Sequence, residues 1–151
     1  MTTTVDGIEG VKAIAGQEWG TSEWHQITQD QVNTFADATG DHQWIHTDVE
    51  RAKNGPFKTT IAHGFLTLSL IPVLYAEVVN VTGISMALNY GMNKVRFPSP
   101  VPVGSKVRAH VKNLLVEDVK GGVQITNEIT IEMEGAAKPA CVAEFLSRCL
   151  A

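Results

Sequence analysis

The sequence predicts an α+β domain in which one long apolar helix is wrapped by a curved antiparallel sheet. Residues 63–80 are apolar on nearly every helical face, which is typical of a helix buried on all sides. Beyond Thr82 and Gly83 the hydrophobic pattern changes to a period of two, which indicates strands. With 151 residues and no repeat or linker, the chain is expected to form a single domain over 1–151.

The first predicted helix begins at Thr28. Thr28 and Gln31 form a capping-box pattern, in which side chains bind the backbone N–H groups at the start of a helix. Gly40 is expected to end this helix, since glycine readily adopts the left-handed conformation found at helix C-termini. Residues 42–60 follow as a less regular segment with a strong turn signal at Asn54-Gly55-Pro56.

The second predicted helix runs from His63 or Gly64 to about Asn80. Pro72 lies inside it and is expected to bend it, because proline removes one backbone N–H. The apolar side chains of its first half are Phe65, Leu66, Leu68, Leu70, Ile71, Val73 and Leu74. One five-stranded sheet cannot cover such a helix on every face, so we expect a second copy of the chain to help bury it.

Strands are expected over the remainder of the chain. The predicted ranges are 84–90, 94–97, 105–117, 123–133 and about 138–149. Lys120-Gly121-Gly122 is typical of a hairpin turn between the third and the fourth strand. Three prolines between positions 98 and 102 predict an irregular connection rather than a central strand. In the fourth strand apolar and polar residues alternate, which predicts that one face is buried.

Composition and charge exclude several classes of protein. The formal net charge is −4 and no basic run is present, which argues against a nucleic-acid binder. The longest apolar stretch, 61–79, is interrupted by a histidine, a proline and a glutamate, so no membrane span is predicted. The first ten residues lack the basic and apolar regions of a signal peptide, and we expect a cytoplasmic protein.

The two cysteines, Cys141 and Cys149, both fall on the last predicted strand. Eight residues of a strand span roughly 26 Å at ~3.3 Å per residue. That separation exceeds the ~7 Å between Cα atoms that a disulfide allows. Two free thiols are therefore expected, which agrees with a reducing cytoplasm.

The candidate chemistry lies in two short motifs. In residues 35–52, FADATGDHQWIHTDVERA, a carboxylate at Asp41 and an imidazole at His46 follow the first predicted helix. In residues 61–65, IAHGF, Gly64 opens the apolar helix, where the first backbone N–H groups have no intrahelical acceptor and carry partial positive charge. An acid, a base and a helix N-terminus together suggest proton transfer beside a carbonyl group.

Both motifs resemble those of the MaoC-like dehydratases, also called type 2 enoyl-CoA hydratases. The first family pattern is Gly-Asp-x-Asn-Pro-aliphatic-His, with a small residue about six positions later. The residues that match it here are Gly40, Asp41, Ile45, His46 and Ala52. Gln43 and Trp44 stand where the family has Asn and Pro. The run Ile61-Ala62-His63-Gly64 is similar to the second family landmark, and residues 89–104 resemble a hydratase-like subgroup.

The resemblance implies the hot-dog fold, in which a long helix is wrapped by an antiparallel sheet and two copies normally pair as a homodimer. It implies (R)-specific hydration of trans-2-enoyl-CoA to (R)-3-hydroxyacyl-CoA, and the reverse dehydration, in fatty-acid or lipid metabolism. In the family, the residues matching Asp41 and His46 hold one water and transfer its protons, and the backbone N–H matching Gly64 binds the thioester oxygen. No cofactor or metal is implied, and acyl-CoA is the expected substrate.

The sequence is also compatible with other functions. The hot-dog fold also hosts acyl-CoA thioesterases, and a paired subunit without active residues can bind acyl groups without catalysis. Asp41, His42 and His46 could also be metal ligands, since histidines four residues apart suit one helix face. The turn chemistry at Gly40 argues against a helix there, and no further ligand at supporting spacing is evident.

Other residues give weaker signals. His63 is interpreted as a structural residue that caps the apolar helix or packs against it. Trp44, between the proposed acid and base, is expected to fill space rather than to stack on a ligand. The basic residues near the strands are interpreted as a solvated face, with the alternatives that Arg96 pairs with a carboxylate or that some contact coenzyme A phosphates. They are Lys94, Arg96, Lys106 and Arg108.

Overall fold

The computed structural model describes residues 2–151 and has the predicted α+β architecture. Within this range the helices α5 and α6 pack on one face of a curved antiparallel sheet. The elements are β1 (Thr3–Asp6), α1 (Gly7–Ala13), β2 (Glu18–Thr21), β3 (His25–Gln26), α2 (Gln29–Thr39), α3 (Trp44–Thr47), α4 (Val49–Ala52), α5 (Gly64–Ser69), α6 (Ile71–Val78), β4 (Val79–Thr82), β5 (Met86–Arg96), β6 (Lys106–Val119), β7 (Gly122–Met133) and β8 (Cys141–Leu150).

The main sheet is six-stranded, with the order β2-β6-β7-β8-β5 and with β3 pairing to β6. Every pairing in it is antiparallel. β6 and β7 form the predicted hairpin, in which Val119 pairs with Gly122 across a two-residue turn. β1 and β4 form a separate parallel pair that begins with Thr3 opposite Val79. β5 lies at one edge of the main sheet.

The first predicted helix is confirmed as α2. The Thr28 hydroxyl accepts a hydrogen bond from the Gln31 N–H at 3.2 Å, which satisfies one of the free donors at the helix start. Gly40 ends the helix with a φ of +83°, and its N–H donates to the Ala36 carbonyl at 2.8 Å. The left-handed turn at Gly40 directs the chain away from the helix axis directly before Asp41.

The prediction of one continuous second helix is wrong. The structure divides it into α5 and α6 at Leu70, and the helical part ends at Val78 because Val79 begins β4. Pro72 lies in the first turn of α6, where its missing N–H costs no intrahelical hydrogen bond. The break therefore precedes the proline by two residues and makes room for it.

The strand predictions are confirmed in approximate position for the second half of the chain, where four strands occupy the five predicted ranges. The ranges 84–90 and 94–97 are parts of one strand, β5, which has two register shifts against β8. The last strand begins at Cys141 rather than near Lys138, and both cysteines on it are buried and free. Within residues 2–151, seven elements of two to seven residues were not predicted from the sequence: β1, α1, β2, β3, α3, α4 and β4. The segment 42–60, expected to be irregular, contains the short helices α3 and α4.

The core lies between the helix pair and the sheet. Ile71, Leu74 and Val78 of α6 are buried against the inward-facing residues of β6, β7 and β8. Burial of each such side chain contributes ~1.5–3 kcal/mol relative to exposure. The inward-facing residues of the predicted half-buried strand are Val123, Ile125, Ile129 and Ile131. This core fixes α5 and α6 against the sheet and so positions the start of α5.

The other face of α5 and α6 is not covered within one chain, contrary to the expectation of burial on all sides. Phe65 is 68% exposed and Val73 is 52% exposed. The neighbouring edge strand β5 also exposes apolar side chains, including Met86, Leu88 and Tyr90. Large exposed apolar patches mark interaction sites. Among residues 2–151, no helix has both the length and the apolar character needed to cross a membrane.

Candidate active site

The first motif forms a turn followed by the one-turn helix α3. Asp41 is exposed, and one of its carboxylate oxygens accepts a hydrogen bond from the Gln43 N–H at 3.3 Å. Trp44, which replaces the family proline, lies under the Arg51 guanidinium, with 4.2 Å from Cζ to the ring centroid. Its ring also contacts Gly55, where a Cβ would come within 3.1 Å. The tryptophan thus fills space beside α4, as expected, and does not line the pocket described below.

Hydrogen bonds of both its ring and its backbone carbonyl hold His46 in place. It is 6% exposed, and its Nδ1–H donates to the Ile61 carbonyl at 2.7 Å. Because a carbonyl only accepts, Nε2 is left with a lone pair. The Gln29 amide donates to the His46 carbonyl at 2.8 Å, and Thr60 donates to Gln29 at 2.6 Å. This small network connects α2, α3 and the second motif.

Burial lowers the pKa of His46 below its ordinary value of 6.5. The hydrogen bond to Ile61 and the nearby Asp41 carboxylate act in the opposite direction and raise the pKa, while His63 lowers it further. The balance favours the neutral imidazole at neutral pH. A neutral Nε2 beside a carboxylate can accept a proton from water.

His63 joins this group, which the sequence analysis did not predict. It is 2% exposed, and its Nε2–H donates to the backbone carbonyl of Asp41 at 2.9 Å. Its ring stacks on that of His46 at 3.9 Å between centroids and 24° between planes. The signal that could have identified it is its position directly before Gly64 in the second motif.

Gly64 is the first residue of α5, so its N–H has no acceptor in the helix. Among residues 2–151, that N–H donates no backbone hydrogen bond elsewhere. A Cβ at this position would lie 3.2 Å from the ring of Phe97. Glycine therefore leaves room beside the amide for another group to approach.

These residues surround one pocket with a volume of ≈ 230 Å³. Its lining residues are Asp41, His46, His63, Gly64, Phe65 and Phe97. The structure thus brings all three predicted site residues together with His63. Further along α5 and α6, two cavities of ≈ 340 Å³ and ≈ 320 Å³ lie between these helices and the strands β5 and β8. Pro72, Asn89 and Phe145 line both of these cavities.

The same side chains are the candidates for metal binding. One nitrogen or oxygen from each of Asp41, His46 and His63 lies within 4.8 Å of the others. His42, which the sequence analysis included in the metal alternative, is exposed and has its Nε2 3.8 Å from an Asp37 oxygen instead. In His63 the Nε2 is occupied by the Asp41 carbonyl, and the buried Nδ1 has no hydrogen-bond partner. Asp41 and His46 therefore offer the accessible donors.

The basic residues near the strands differ in whether they pair with a carboxylate. Arg108 donates to Glu132 at 2.8 Å and stacks on Trp24, so it is part of a side-chain network on the sheet. Lys94 lies 3.8 Å from a Glu144 oxygen. Among residues 2–151, Arg96 forms no ion pair, and its guanidinium donates to the Val95 carbonyl. Arg96 directly precedes Phe97 at the pocket, so the cation closest in sequence to the pocket is free.

Comparison with known proteins agrees with this fold. The chain is 57% identical over 149 residues to the 3-hydroxyacyl-thioester dehydratase Z of Mycobacterium tuberculosis, with 98% of this chain and 99% of that protein covered. It is 44% identical to nodulation protein N of Rhizobium leguminosarum bv. viciae, with 91% and 87% covered. The structure of an R-hydratase from Pseudomonas aeruginosa superposes with a TM-score of 0.69 at 25% identity, covering 90% of this chain and 81% of that one.

The sequence also matches the model of a protein family. The model described as a MaoC like domain matches residues 11–134, a range that includes both motifs and most of the sheet. This match covers well over half of the chain. The protein therefore belongs to the MaoC-like domain family, with a hot-dog fold.

Proposed function

We propose that the protein catalyses the reversible, (R)-specific hydration of trans-2-enoyl-CoA to (R)-3-hydroxyacyl-CoA. The observation that carries the proposal is the single pocket lined by Asp41, His46 and Gly64. A carboxylate and a neutral imidazole can activate water there, beside an amide that is free to bind a carbonyl oxygen. The name of the dehydratase from M. tuberculosis, at 57% identity, supports the same class of reaction.

Water activation is assigned to Asp41 and His46. Water alone is too weak a nucleophile to attack C3 of the enoyl group. In the proposed step the water oxygen bonds to C3 while one of its protons passes to His46 Nε2, and C2 then receives a proton from the imidazolium. Asp41 orients the water and stabilises the imidazolium. Acid–base groups placed in this way contribute about 10² to 10⁴ in rate.

Stabilisation of the thioester oxygen is assigned to the Gly64 N–H. As C3 is attacked, negative charge develops on this oxygen, and a fixed donor in a partly enclosed site stabilises it more than water does. Loss of one such donor costs on the order of 10² to 10³ in kcat. The absence of a side chain at Gly64 lets the thioester approach the amide closely.

The acyl chain is placed along α5 and α6. The two cavities between these helices and β5 lie further along the helices than the catalytic pocket and, within residues 2–151, share no lining residue with it. The helical span 64–78 is roughly 22 Å long at ~1.5 Å per residue. An acyl chain extending from the pocket would pack on apolar residues of these cavities, such as Leu68 and Ile71. Coenzyme A would remain outside, where Arg96 has no carboxylate partner in the described part of the chain and could meet a phosphate.

We expect the active form to be a homodimer. A second copy would cover the exposed apolar side chains of α5, α6 and β5, among them Phe65 and Val73. Pairing along the β5 edge would also satisfy free backbone groups of an edge strand. Size-exclusion chromatography with light scattering tests this proposal, and a monomer or an obligate complex with a different chain would contradict it. The cytoplasmic location stays a prediction.

A hydration assay tests the proposed reaction. The purified chain is given trans-2-enoyl-CoAs of increasing length, and loss of the conjugated double bond is followed together with chiral analysis of the product. Formation of (R)-3-hydroxyacyl-CoA supports the proposal. Release of free coenzyme A thiol would indicate a thioesterase, and an inactive single chain would indicate a non-catalytic partner subunit.

Chelation separates the proposed chemistry from the metal alternative. Because the water is assigned to Asp41 and His46 alone, we expect unchanged activity after dialysis against EDTA. Addition of Zn²⁺ is then expected to inhibit, since it would compete for the same two donors. Loss of activity with EDTA and its return with a metal would favour a metal site formed by Asp41, His46 and His63.

A further inference from the structure

We propose that His63 is a positioning residue that fixes the Asp41 carboxylate and the His46 ring relative to the Gly64 amide. The inference rests on the proposed function and adds a residue to it. His63 is not assigned a proton-transfer step. Its role is to connect the two motifs through one hydrogen bond and one ring contact.

The connection is reciprocal. His46 of the first motif donates its Nδ1–H to the Ile61 carbonyl of the second motif at 2.7 Å. His63 of the second motif donates its Nε2–H to the Asp41 backbone carbonyl of the first at 2.9 Å. Each imidazole therefore donates to a backbone carbonyl of the other motif. Two such crossed bonds fix both the distance and the rotation between the motifs, which one bond alone would not do.

The hydrogen bond from His63 connects Asp41 to a distant part of the chain. Among residues 2–151, the other hydrogen bonds of Asp41 are to Thr39 at 3.4 Å and to Gln43 at 3.3 Å, both within two positions along the chain. The bond from His63 spans 22 positions. An exposed residue that follows a glycine in a left-handed turn would otherwise be anchored only to its own turn.

Ring packing adds a second constraint. The His63 ring lies 4.9 Å from the Phe35 ring of α2 and 3.9 Å from the His46 ring, measured between centroids. Phe35 therefore supports His63, and His63 supports the plane of His46. Because the His46 Nδ1 is already bonded to Ile61, the contact limits rotation of the ring about that bond.

The tautomer of His63 follows from the same contacts. The Asp41 carbonyl accepts from Nε2, and the buried Nδ1 has no hydrogen-bond partner. Moving the proton to Nδ1 would break the bond to Asp41 and leave a buried N–H unsatisfied, which costs free energy. The Nε2–H form is therefore the one that supports the role, and it can be measured.

Substitutions at His63 can separate this role from simple packing. The Nε2 of glutamine is the same number of bonds from Cα as the Nε2 of histidine, so His63→Gln keeps a donor for Asp41. The Nδ2 of asparagine corresponds to the histidine Nδ1, so His63→Asn places its donor out of reach. His63→Leu has a similar volume and no donor. A purely structural residue would not produce a difference between Gln and Asn that follows donor position.

The experiment measures kcat and KM for enoyl-CoA hydration in the wild type and the three variants, with folding checked by circular dichroism and thermal unfolding. We expect kcat to fall by about 10² in His63→Leu and His63→Asn, since small misplacements of reacting groups cost this much. KM should change by less than about threefold, and His63→Gln should keep kcat within about tenfold of wild type. A folded His63→Leu with wild-type kcat, or a His63→Gln no better than His63→Leu, would overturn the proposal.

A second measurement does not depend on the proposed function. Long-range ¹H–¹⁵N spectra of ¹⁵N-histidine-labelled protein report which ring nitrogen carries the proton. We expect Nε2–H for His63 and Nδ1–H for His46, with the His63 signal assigned through His63→Gln. An Nδ1–H form of His63 overturns the positioning role even if the enzyme hydrates enoyl-CoA. Absence of hydration by the wild type, with the expected tautomers, contradicts the proposed function and leaves the link between the motifs supported.

Discussion

The two motifs that enclose the pocket differ in how firmly the fold holds them. Residues 60–63 are all buried, and their backbone pairs with residues 101–103 through two N–H···O bonds of 2.8 and 2.9 Å. Asp41, in contrast, is exposed and lies in a short turn. The amide of Gly64 is therefore fixed by backbone pairing, whereas the acid and base are held mainly by side-chain contacts.

This difference predicts how substitutions on the two sides of the pocket behave. A change at the exposed Asp41 should reduce the rate of reaction with little effect on stability, because few core contacts are lost. A change in the second motif should alter binding through shape, because the backbone there cannot move away.

The largest effect is expected for His46→Gln. Glutamine preserves the approximate shape but cannot accept a proton, so kcat should fall by roughly 10³ while KM changes little. Steady-state kinetics of enoyl-CoA hydration measure both. His42→Gln is the matched control, because His42 lies in the same turn but is exposed and does not line the pocket. A His46→Gln enzyme with a wild-type rate would remove the base from the mechanism.

Asp41→Asn should have a smaller effect, of about 10² in kcat. The amide can still hold a water by hydrogen bonding, but it lacks the negative charge that stabilises the imidazolium. The control is Asp37→Asn, an exposed aspartate on α2 outside the pocket. Thermal unfolding should be nearly unchanged in both variants. Equal activity of the Asp41 and Asp37 variants would show that the carboxylate is not used.

Gly64→Ala tests the fixed side of the pocket. The N–H remains, but the new methyl would lie 3.2 Å from the ring of Phe97. We expect kcat/KM to fall on the order of tenfold, mainly through KM, because an overpacked site must shift. The double variant Gly64→Ala/Phe97→Leu should recover most of the loss, since it relieves the contact. If Phe97→Leu does not restore binding, the contact between the new methyl group and Phe97 is not the cause of the loss.

The sequence predicted the parts of the site that depend on local rules. Thr28 and Gly40 bound α2 as expected, because capping and left-handed glycines act within a few residues. The link from His63 to Asp41 could not be predicted in this way, since it joins residues 22 positions apart and depends on how two motifs pack. Physical reasoning from single residues gave His63 only a structural role.

The fold shows the same division between local and distant effects. The continuous helix was predicted from composition, but its break at Leu70 depends on where Pro72 can lie in a helix first turn. The parallel pair of β1 and β4 joins residues 3–6 to residues 79–82, and no periodicity reveals it in a four-residue strand whose one apolar residue is Val5. The long strands β6 and β7 were predictable because their alternation reports a buried face directly.

The smallest effect concerns pH and tests the coupling of Asp41 to His46 within the first motif. Burial lowers the pKa of His46 and the Asp41 carboxylate raises it. Because the reaction needs the neutral base, kcat/KM for hydration should be constant near neutrality and should decline only below pH 6.5, the ordinary value for histidine. In Asp41→Asn the raising charge is gone, so the decline should move to lower pH, while in Asp37→Asn it should stay in place. A pH–rate profile of the three proteins measures this. An unchanged profile in Asp41→Asn would mean that the carboxylate does not act on the imidazole, which would contradict a water shared by the two.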